Sequence, residues 1–376
     1  MTRFRDNHQI IPLADPRGDH AHLRAEIMAA LERTIDSGSY ILGKEVEAFE
    51  HRLSARLGAA GAVGVGSGTE ALALGLLAVG VSPGDEVVTV SHTAGATVAA
   101  VRMIGAVPVL IDIDEASYCM DPRRLESAIT SRTKAILPVH LYGHPADLVS
   151  IGAVARRHNV PVVEDCAQAQ EAAIDGRSVG SIGQVGCFSF YPTKNLGAIG
   201  DGGLVVATEP ETVERLRRLR TYGWSRPQFA DIPDGRCSRL DELQAAILNV
   251  KVDHLARDVE RRREIAQRYN EAFAELPLTL PAEYGGARHV YHLYVVRCDC
   301  RDALAFHLKE AGIGTGIHYP CPVHRQPGLA TGARIAGSLE VTEKVVREIL
   351  SLPLYPSLSV QGQRRVIESV REFFLN

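Results

Sequence analysis

The chain contains the stretch Ala62-Val63-Gly64-Val65-Gly66-Ser67-Gly68-Thr69-Glu70-Ala71-Leu72, in which a short apolar run enters a glycine-rich turn and a helix begins near Thr69. The same order of strand, turn and helix then repeats as far as Glu164. Strands that are separated by helices pair in parallel, and the helices cover both faces of the sheet. The pattern therefore predicts an α/β fold with a mainly parallel central sheet, in which ligands lie beyond the carboxyl ends of the strands.

Apolar residues at helical and strand spacing extend this prediction along the chain in both directions. The expected strands are 63–65, 86–90, 107–111, 135–139, 160–164, 186–190, 204–207 and 289–297. The expected helices are 21–37, 44–57, one from 69, 94–104, 121–130, 147–158, 211–220, 240–273 with a break near 252, 302–312, 340–350 and one from 361. A chain of 376 residues exceeds one compact core. We expect a large domain with N-terminal helices over 1–251 and a smaller α+β domain over 252–376.

Composition limits the classes of partner. A formal net charge of -4 gives no basic surface for nucleic acid, and no apolar run is long enough for a membrane span. Residues 1–6 lack the apolar core of a secretory signal. Seven cysteines, an odd number, favour a reduced cytoplasmic protein. Cys298 and Cys300 have no second Cys/His pair at zinc spacing, so we expect no metal site.

The turn after the first strand is typical of an anion site. Glycines allow close approach of the backbone, and the free amides at the start of a helix bind phosphate. A dinucleotide site is the first alternative, but the last glycine of that fingerprint is missing, and His92 follows the next strand where an acidic ribose partner is expected. The turn Gly66-Ser67-Gly68-Thr69 therefore favours a single phosphate.

A second stretch presents one lysine at a fixed place: Cys187-Phe188-Ser189-Phe190-Tyr191-Pro192-Thr193-Lys194-Asn195-Leu196-Gly197. A strand enters a proline turn, delivers Lys194 and continues into glycine-rich chain. Lys194 is either a solvated loop residue or a Schiff-base lysine, which must be desolvated enough to lose its proton.

Asp165 ends the buried strand Pro161-Val162-Val163-Glu164-Asp165, and strand-end carboxylates either cap helices or belong to sites. Asp165 and Lys194 each follow their own strand and so face one edge of the sheet. Pyridoxal phosphate requires a lysine, a carboxylate that keeps the pyridine nitrogen protonated, and a helix start with hydroxyls for its phosphate. The sequence offers all three, and Ser189 offers a further hydroxyl.

At these residues the chain resembles the DegT-type (DnrJ/StrS-like) sugar aminotransferases, which use pyridoxal 5'-phosphate on nucleotide-linked keto-sugars. The resemblance implies an aspartate aminotransferase-like fold type I, with a mainly parallel sheet in the large domain and a smaller α+β C-terminal domain. The resemblance runs from about Gly38 into the C-terminal region. Its motifs are Gly66-Ser67-Gly68-Thr69, Pro138-Val139-His140-Leu141-Tyr142-Gly143, Glu164-Asp165-Cys166-Ala167-Gln168-Ala169, the Lys194 stretch, Ser238-Arg239-Leu240-Asp241-Glu242-Leu243-Gln244-Ala245-Ala246 and Gly316-Ile317-His318-Tyr319-Pro320.

The resemblance implies Lys194 as the Schiff-base lysine and proton carrier, Asp165 on the pyridine nitrogen and Gln168 near the ring hydroxyl. It implies that four residues surround the phosphate: Ser67, Gly68, Thr69 and Ser189. It further implies a homodimer with active sites between the subunits, L-glutamate as the amino donor and a nucleotide-linked keto-sugar as the acceptor. For the substrate we expect His318, Tyr319 and His324, which lie in a Gly/Pro-rich loop.

Three positions separate this chain from parts of the family. Relatives that deoxygenate sugars have histidine at the position of Lys194, which argues against a dehydratase. Many relatives have asparagine, reaching the phosphate across the dimer, where this chain has Cys237, a weaker donor. Relatives often have an aromatic residue near Ala94, and His92 is the expected substitute beside the ring. Three alternatives stay open: transfer to a keto-inositol, sugar deoxygenation that depends on pyridoxal phosphate, and a catalytically silent regulatory relative.

Overall fold

The structure is a computed structural model that describes residues 10–375. Residues 1–6, where the sequence shows no secretory signal, lie outside this range. Its helices are α1 (Pro16–His20), α2 (Arg24–Ser37), α3 (Lys44–Leu57), α4 (Gly68–Ala78), α5 (Gly95–Met103), α6 (Pro122–Ala128), α7 (Leu148–His158), α8 (Pro210–Leu219), α9 (Glu242–Val252), α10 (Leu255–Phe273), α11 (Arg301–Glu310), α12 (Pro327–Ala330), α13 (Glu340–Glu348) and α14 (Val360–Leu375).

The strands are short, as is usual where a sheet is buried on both faces. They are β1 (Gly61–Val65), β2 (Glu86–Val90), β3 (Val107–Ile111), β4 (Thr133–Ile136), β5 (Val163–Asp165), β6 (Ala173–Ile174), β7 (Arg177–Ser178), β8 (Val185–Ser189), β9 (Gly203–Ala207), β10 (Trp224–Arg226), β11 (Phe229–Ala230), β12 (Ala287–Arg288), β13 (Tyr294–Arg297), β14 (Arg334–Ile335) and β15 (Ile349–Leu352).

The central sheet has the strand order β1, β9, β8, β5, β4, β2, β3, β14. Parallel bridges Ile136 to Val162 and Val139 to Asp165 join its two halves between β4 and β5. Only β9 is antiparallel to its neighbours in this sheet as the structure describes it. The predicted mainly parallel α/β sheet is therefore confirmed.

Successive residues of the strands face two different cores, because side chains alternate along a strand. Val87 packs in a core with α4, α5 and α8, whereas Val88 packs in a core with α3, α6, α7 and α9. Helix α4 is buried from Ala71 to Ala78 and lies directly behind the sheet. This position points the amino end of α4 at the sheet edge where β5 and β8 end.

A third core belongs to the C-terminal part of the chain. Helices α10, α11 and α14 pack on the pair β13 and β15 around residues such as Tyr269, Leu304 and Val366. Helix α9 ends at Val252 and α10 begins at Leu255, close to the expected break. The chain also returns to the large sheet through β14, which pairs in parallel with β3. The boundary at residue 252 stays a prediction.

The expected strand 289–297 is wrong in its first half. Strand β13 begins only at Tyr294, because the preceding residues bond to the loop after β4. Val290 N–H donates to the Gly143 carbonyl (3.0 Å), and Leu293 N–H donates to the Tyr142 carbonyl (3.3 Å). Residues 290–293 therefore connect the third core to the carboxyl edge of the central sheet.

Candidate active site

One cavity of about 440 Å³ opens at the carboxyl ends of β5 and β8, within the range of small-molecule sites. Most of the site residues predicted from the sequence line it. They are Ser67, Gly68, Thr69, Asp165, Gln168, Ser189, Lys194, His318 and Tyr319. The fold thus brings together residues from positions 67 to 319 of the chain.

The start of α4 forms one wall of this cavity. Ser67 is the N-cap, and its hydroxyl accepts a hydrogen bond from Glu70 N–H (3.2 Å). A Cβ on Gly68 would lie 2.6 Å from the Ser189 Cβ and 2.9 Å from its hydroxyl oxygen. Only glycine at position 68 therefore allows the end of β8 to approach the helix start so closely. The result is a group of hydroxyls and helix amides suited to an anion.

Lys194 lies five residues beyond the end of β8, in a loop held by its own backbone. Its N–H donates to the Tyr191 carbonyl (2.8 Å), and Ala198 N–H donates to the Phe190 carbonyl (2.7 Å). The side chain is half-buried. Desolvation lowers the pKa of Lys194 to about 8, and the nearby charge of Asp165 only partly opposes this effect. Lys194 is therefore partly unprotonated near neutral pH.

Asp165 is the last residue of β5 and is buried. Its Oδ2 accepts a hydrogen bond from the Thr97 hydroxyl (2.8 Å), and its Oδ1 accepts one from Ala167 N–H (3.1 Å). Burial raises the pKa of Asp165, whereas these hydrogen bonds and Lys194 act in the opposite direction. A carboxylate held in this way favours a cationic partner in the cavity.

Gln168 and Tyr319 form a polar pair on the same wall. The Gln168 side-chain oxygen accepts from Tyr142 N–H (2.7 Å), and its amide donates to the Tyr319 hydroxyl (2.9 Å). His318 contacts the Ser351 hydroxyl through Nδ1 (2.8 Å). These contacts fix the side chains of Gln168 and Tyr319 and the ring of His318 against the cavity.

Two predicted residues do not reach the cavity. His92 is buried, and its Nε2 lies 2.7 Å from the Tyr142 hydroxyl; burial alone lowers its pKa to about 3. His324 lies between the Ser91 hydroxyl (2.7 Å) and Glu343 (2.6 Å). Both rings therefore have structural partners elsewhere, and we remove them from the proposed site. Ala94 lines the cavity in the place where His92 was expected to act.

A compact buried group of His140, Glu164 and Cys166 has ligand atoms close enough for a metal ion. The Glu164 oxygens, however, accept from the backbone amides of Gly180 (2.6 Å) and Gly183 (2.6 Å) and contact His140 Nε2 (3.1 Å). These bonds explain the group as a brace within the sheet.

Comparison with known proteins identifies the family of this chain. Residues 21–371 match the model of the DegT/DnrJ/EryC1/StrS aminotransferase family. The chain belongs to this family.

Two relatives and one solved structure align with this chain over nearly the full length of both proteins. An erythromycin biosynthesis sensory transduction protein of Saccharopolyspora erythraea is 47% identical over 96% of this chain and 99% of the relative. A dTDP-3-amino-3,4,6-trideoxy-alpha-D-glucose transaminase of Streptomyces venezuelae is 46% identical over 96% of each. The crystal structure of S. venezuelae DesV in complex with a ketimine intermediate has a TM-score of 0.94 at 45% identity, over 98% of this chain and 99% of that one. The fold type and the aminotransferase class expected from the sequence are thereby confirmed.

In this member of the aminotransferase family, the structure adds residues that sequence reasoning missed. Thr97, in the first turn of α5, reaches Asp165 across 68 positions of the chain. Lys251, in the last turn of α9, lines the cavity and donates to the Gly197 carbonyl beyond Lys194; its pKa is lowered to about 8 by burial. His292 also lines the cavity. No local motif marks these residues, because their contacts depend on distant parts of the chain.

Proposed function

We propose that this protein is a pyridoxal 5'-phosphate-dependent aminotransferase that converts a nucleotide-diphosphate-linked keto-sugar to the amino sugar, with L-glutamate as the amino donor. The observation that carries this proposal is the position of Lys194, with its lowered pKa, in one cavity with Asp165 and the start of α4. Membership of an aminotransferase family and the similarity to the Streptomyces venezuelae sugar transaminase support it. No helix within residues 10–375 is long and apolar enough to cross a membrane.

The residues present fit the cofactor. The close approach of Gly68 to Ser189 leaves a cradle at the helix start, and Ser67, Thr69 and Ser189 surround it with hydroxyls. Asp165 would hold the pyridine nitrogen as a cation, and this partner would in turn stabilise the buried carboxylate. When bound, the cofactor supplies the electron sink that amine transfer requires.

The chain's own residues then perform the proton and positioning steps. The Lys194 amine would hold the cofactor, and Nζ can both accept and donate a proton near neutral pH because burial lowers the pKa of Lys194 to about 8. The bonds of Gln168 to Tyr142 and Tyr319 fix its side chain in the cavity, where it would face the cofactor ring. His318 and Tyr319 line the same cavity, so we assign both to substrate binding.

A homodimer is part of the proposal. Apolar side chains are exposed on the Lys194 loop, at Tyr191 (54% exposed) and Ile199 (51%), and on nearby segments, at Ile41 (50%) and Leu243 (37%). Ile41 pairs with Asp241, and Ile199 exchanges two hydrogen bonds with Gln244, so these residues form one surface. Apolar surface of this kind is typical of subunit interfaces, and a second copy would cover it next to Lys194.

We also propose a cytoplasmic location, since all seven cysteines are free thiols, as a reducing compartment favours.

Cys237 is exposed, and its Sγ accepts a hydrogen bond from the Arg239 guanidinium (3.0 Å). In a dimer that resembles its relatives, Arg239 then offers the stronger donor at this position.

The decisive test is reductive trapping with borohydride after addition of pyridoxal 5'-phosphate. We expect a reduced pyridoxyl label on the peptide that contains Lys194 and none on the peptide that contains Lys251. Lys251 lines the same cavity, but its amine donates to the Gly197 carbonyl and contacts His20 (2.6 Å). Lys194→Ala should lose both the label and the visible absorbance. Absence of label in the wild-type protein would contradict the proposal.

Product analysis then separates the acceptors. A panel of nucleotide-linked keto-sugars and keto-inositols, each with glutamate, should give an aminated nucleotide sugar by mass. An aminated inositol alone would favour the aminocyclitol alternative, and loss of a hydroxyl without amine gain would favour a dehydratase. The similarity to a sensory transduction protein makes a silent relative worth testing, and any turnover with glutamate excludes it.

A further inference from the structure

His292 occupies an unusual position in the cavity wall. Its side chain is buried, with 7% of the residue exposed, and its Nδ1 is sealed from solvent without a hydrogen-bond partner. Because His292 lines the cavity and its other ring nitrogen is not among the sealed atoms, Nε2 is the ring nitrogen accessible from the cavity. Nε2 has no hydrogen-bond partner among the described residues, and a polar atom that faces a cavity without a partner points to a ligand.

The backbone that carries His292 is fixed from three sides. Gly143 approaches so closely that a Cβ there would lie 3.0 Å from the backbone nitrogen of His292. The Asn195 side chain, adjacent to Lys194, donates to the Val290 carbonyl (3.2 Å). Arg262 donates to the carbonyls of Tyr291 (3.3 Å) and His292 (3.4 Å). The backbone of His292 is thus held at a set place relative to the Lys194 loop, as a positioning group requires.

The His292 ring is neutral, and one of its two tautomers is favoured. Desolvation lowers the pKa of His292 well below its usual value, and the charges of Lys194 and Arg262 lower it further. A proton on Nδ1 would have no acceptor, because that nitrogen is sealed. The neutral ring therefore carries its proton on Nε2 and presents an N–H donor to the cavity.

The cavity wall around His292 determines which kind of oxygen can accept a hydrogen bond from Nε2. Leu293, Leu352, Leu354 and Tyr355 line the cavity near His292. The two cations of this wall are Arg262 and Lys251, and the carboxylates of Asp19 and Asp258 in the same cavity oppose their charges. A wall of balanced charge with one neutral N–H donor suits a sugar hydroxyl or carbonyl better than the carboxylate of an amino acid.

We propose that His292 is a positioning and specificity residue for the acceptor: its Nε2–H donates to a neutral oxygen of the keto-sugar and orients the sugar toward Lys194. This inference rests on the proposed aminotransferase function. It assigns the acceptor half of the reaction to residues 290–293, separately from the anion cradle at α4.

Two amide substitutions test the proposal, because they differ mainly in reach. The terminal amide of His292→Gln extends to the place of Nε2, whereas that of His292→Asn reaches only the place of Nδ1. We expect His292→Asn to raise KM for the keto-sugar about tenfold and His292→Gln to stay within about threefold of wild type. The half-reaction with glutamate, followed by absorbance, should change less than about twofold in both variants.

His289→Gln is the matched control. His289 is a buried histidine on the same segment, but its Nδ1 accepts a bond from Tyr291 N–H (2.9 Å), and it does not line the cavity. Its replacement should leave KM for the keto-sugar unchanged. Equal KM values for His292→Asn and His292→Gln, or equal losses in the two half-reactions, would overturn the role of His292. A wild-type protein inactive on every keto-sugar would overturn the proposed function and this inference together.

Discussion

Burial makes the positive charge on Lys194 costly, whereas the nearby charge of Asp165 favours it. The same environment makes the negative charge on Asp165 costly, and Thr97 and Ala167 compensate part of that cost through hydrogen bonds. Both charged side chains are destabilised by desolvation, so a ligand with complementary charge between them would stabilise both. Their burial therefore marks Lys194 and Asp165 as candidate functional residues, which their residue types alone do not.

The lowered pKa gives a pH dependence at this scale. Only the unprotonated Lys194 amine attacks, and its fraction rises with pH up to the pKa of about 8. We expect the rate of pyridoxal 5'-phosphate capture by the apoprotein to rise about tenfold per pH unit below pH 8 and to level off above it. Stopped-flow absorbance measures this rate. Lys251→Arg removes the other lysine of lowered pKa and should leave the midpoint in place; a midpoint near the ordinary lysine pKa would contradict the assignment.

At the scale of elements, the site depends on contact between the start of α4 and the end of β8. Gly68 permits this contact, and a Cβ on Gly203 would likewise lie 2.3 Å from the Ser67 carbonyl oxygen. The apolar helix α4, packed behind the sheet, cannot retreat without disturbing its buried face. The anion cradle is therefore a consequence of helix-on-sheet packing at small residues.

Gly68→Ala tests this contact. The added methyl group would push Ser189 away from the helix start, and we expect affinity for pyridoxal 5'-phosphate to fall about tenfold or more. Adding Ser189→Gly to Gly68→Ala relieves the clash without restoring the hydroxyl, so it should recover thermal stability but only part of the affinity. Gly152→Ala in α7, where the nearest atom is a flexible Arg156 nitrogen at 3.4 Å, is the control and should not weaken binding. Unchanged affinity in Gly68→Ala would place the phosphate elsewhere.

For the whole molecule, the cavity joins the central sheet to the third core. Residues 290–293 bond to the loop after β4, and Arg262 joins α10 to the carbonyls of Tyr291, His292 and Leu354. Tyr191 lines the cavity and also belongs to the exposed apolar surface around Ile199. The candidate site is thus enclosed by two cores, and in the proposed dimer by a second copy as well.

Ile199→Asp places a charge in this surface. We expect the variant to sediment as a monomer and to lose most aminotransferase activity, because burying an unpaired charge opposes association. Analytical ultracentrifugation and the glutamate half-reaction report the two effects. Phe306→Asp, at an exposed position on α11 (65% exposed), should leave both unchanged. A dimeric, active Ile199→Asp variant would contradict the proposed interface.

Local sequence patterns predicted most of the elements and their order. Strands β2 and β3 and helix α3 have the bounds expected from periodicity, since alternation and helical spacing are visible within a few residues. The interruption at 290–293 could not be predicted, because its hydrogen bonds go to Tyr142 and Gly143, about 150 positions earlier. His92 was misplaced for a similar reason: its partner Tyr142 lies 50 positions away.

The sequence by itself determined the fold class, the family, and the lysine, carboxylate and helix start of the candidate site. Each of these is a local pattern: a strand end, a turn, or glycines beside hydroxyls. Only the tertiary structure decided that Lys194 has a lowered pKa, that Thr97 supports Asp165, and that His292 faces the cavity while His92 and His324 do not. These properties depend on burial and on contacts between distant segments, and neither is encoded at any one position of the chain.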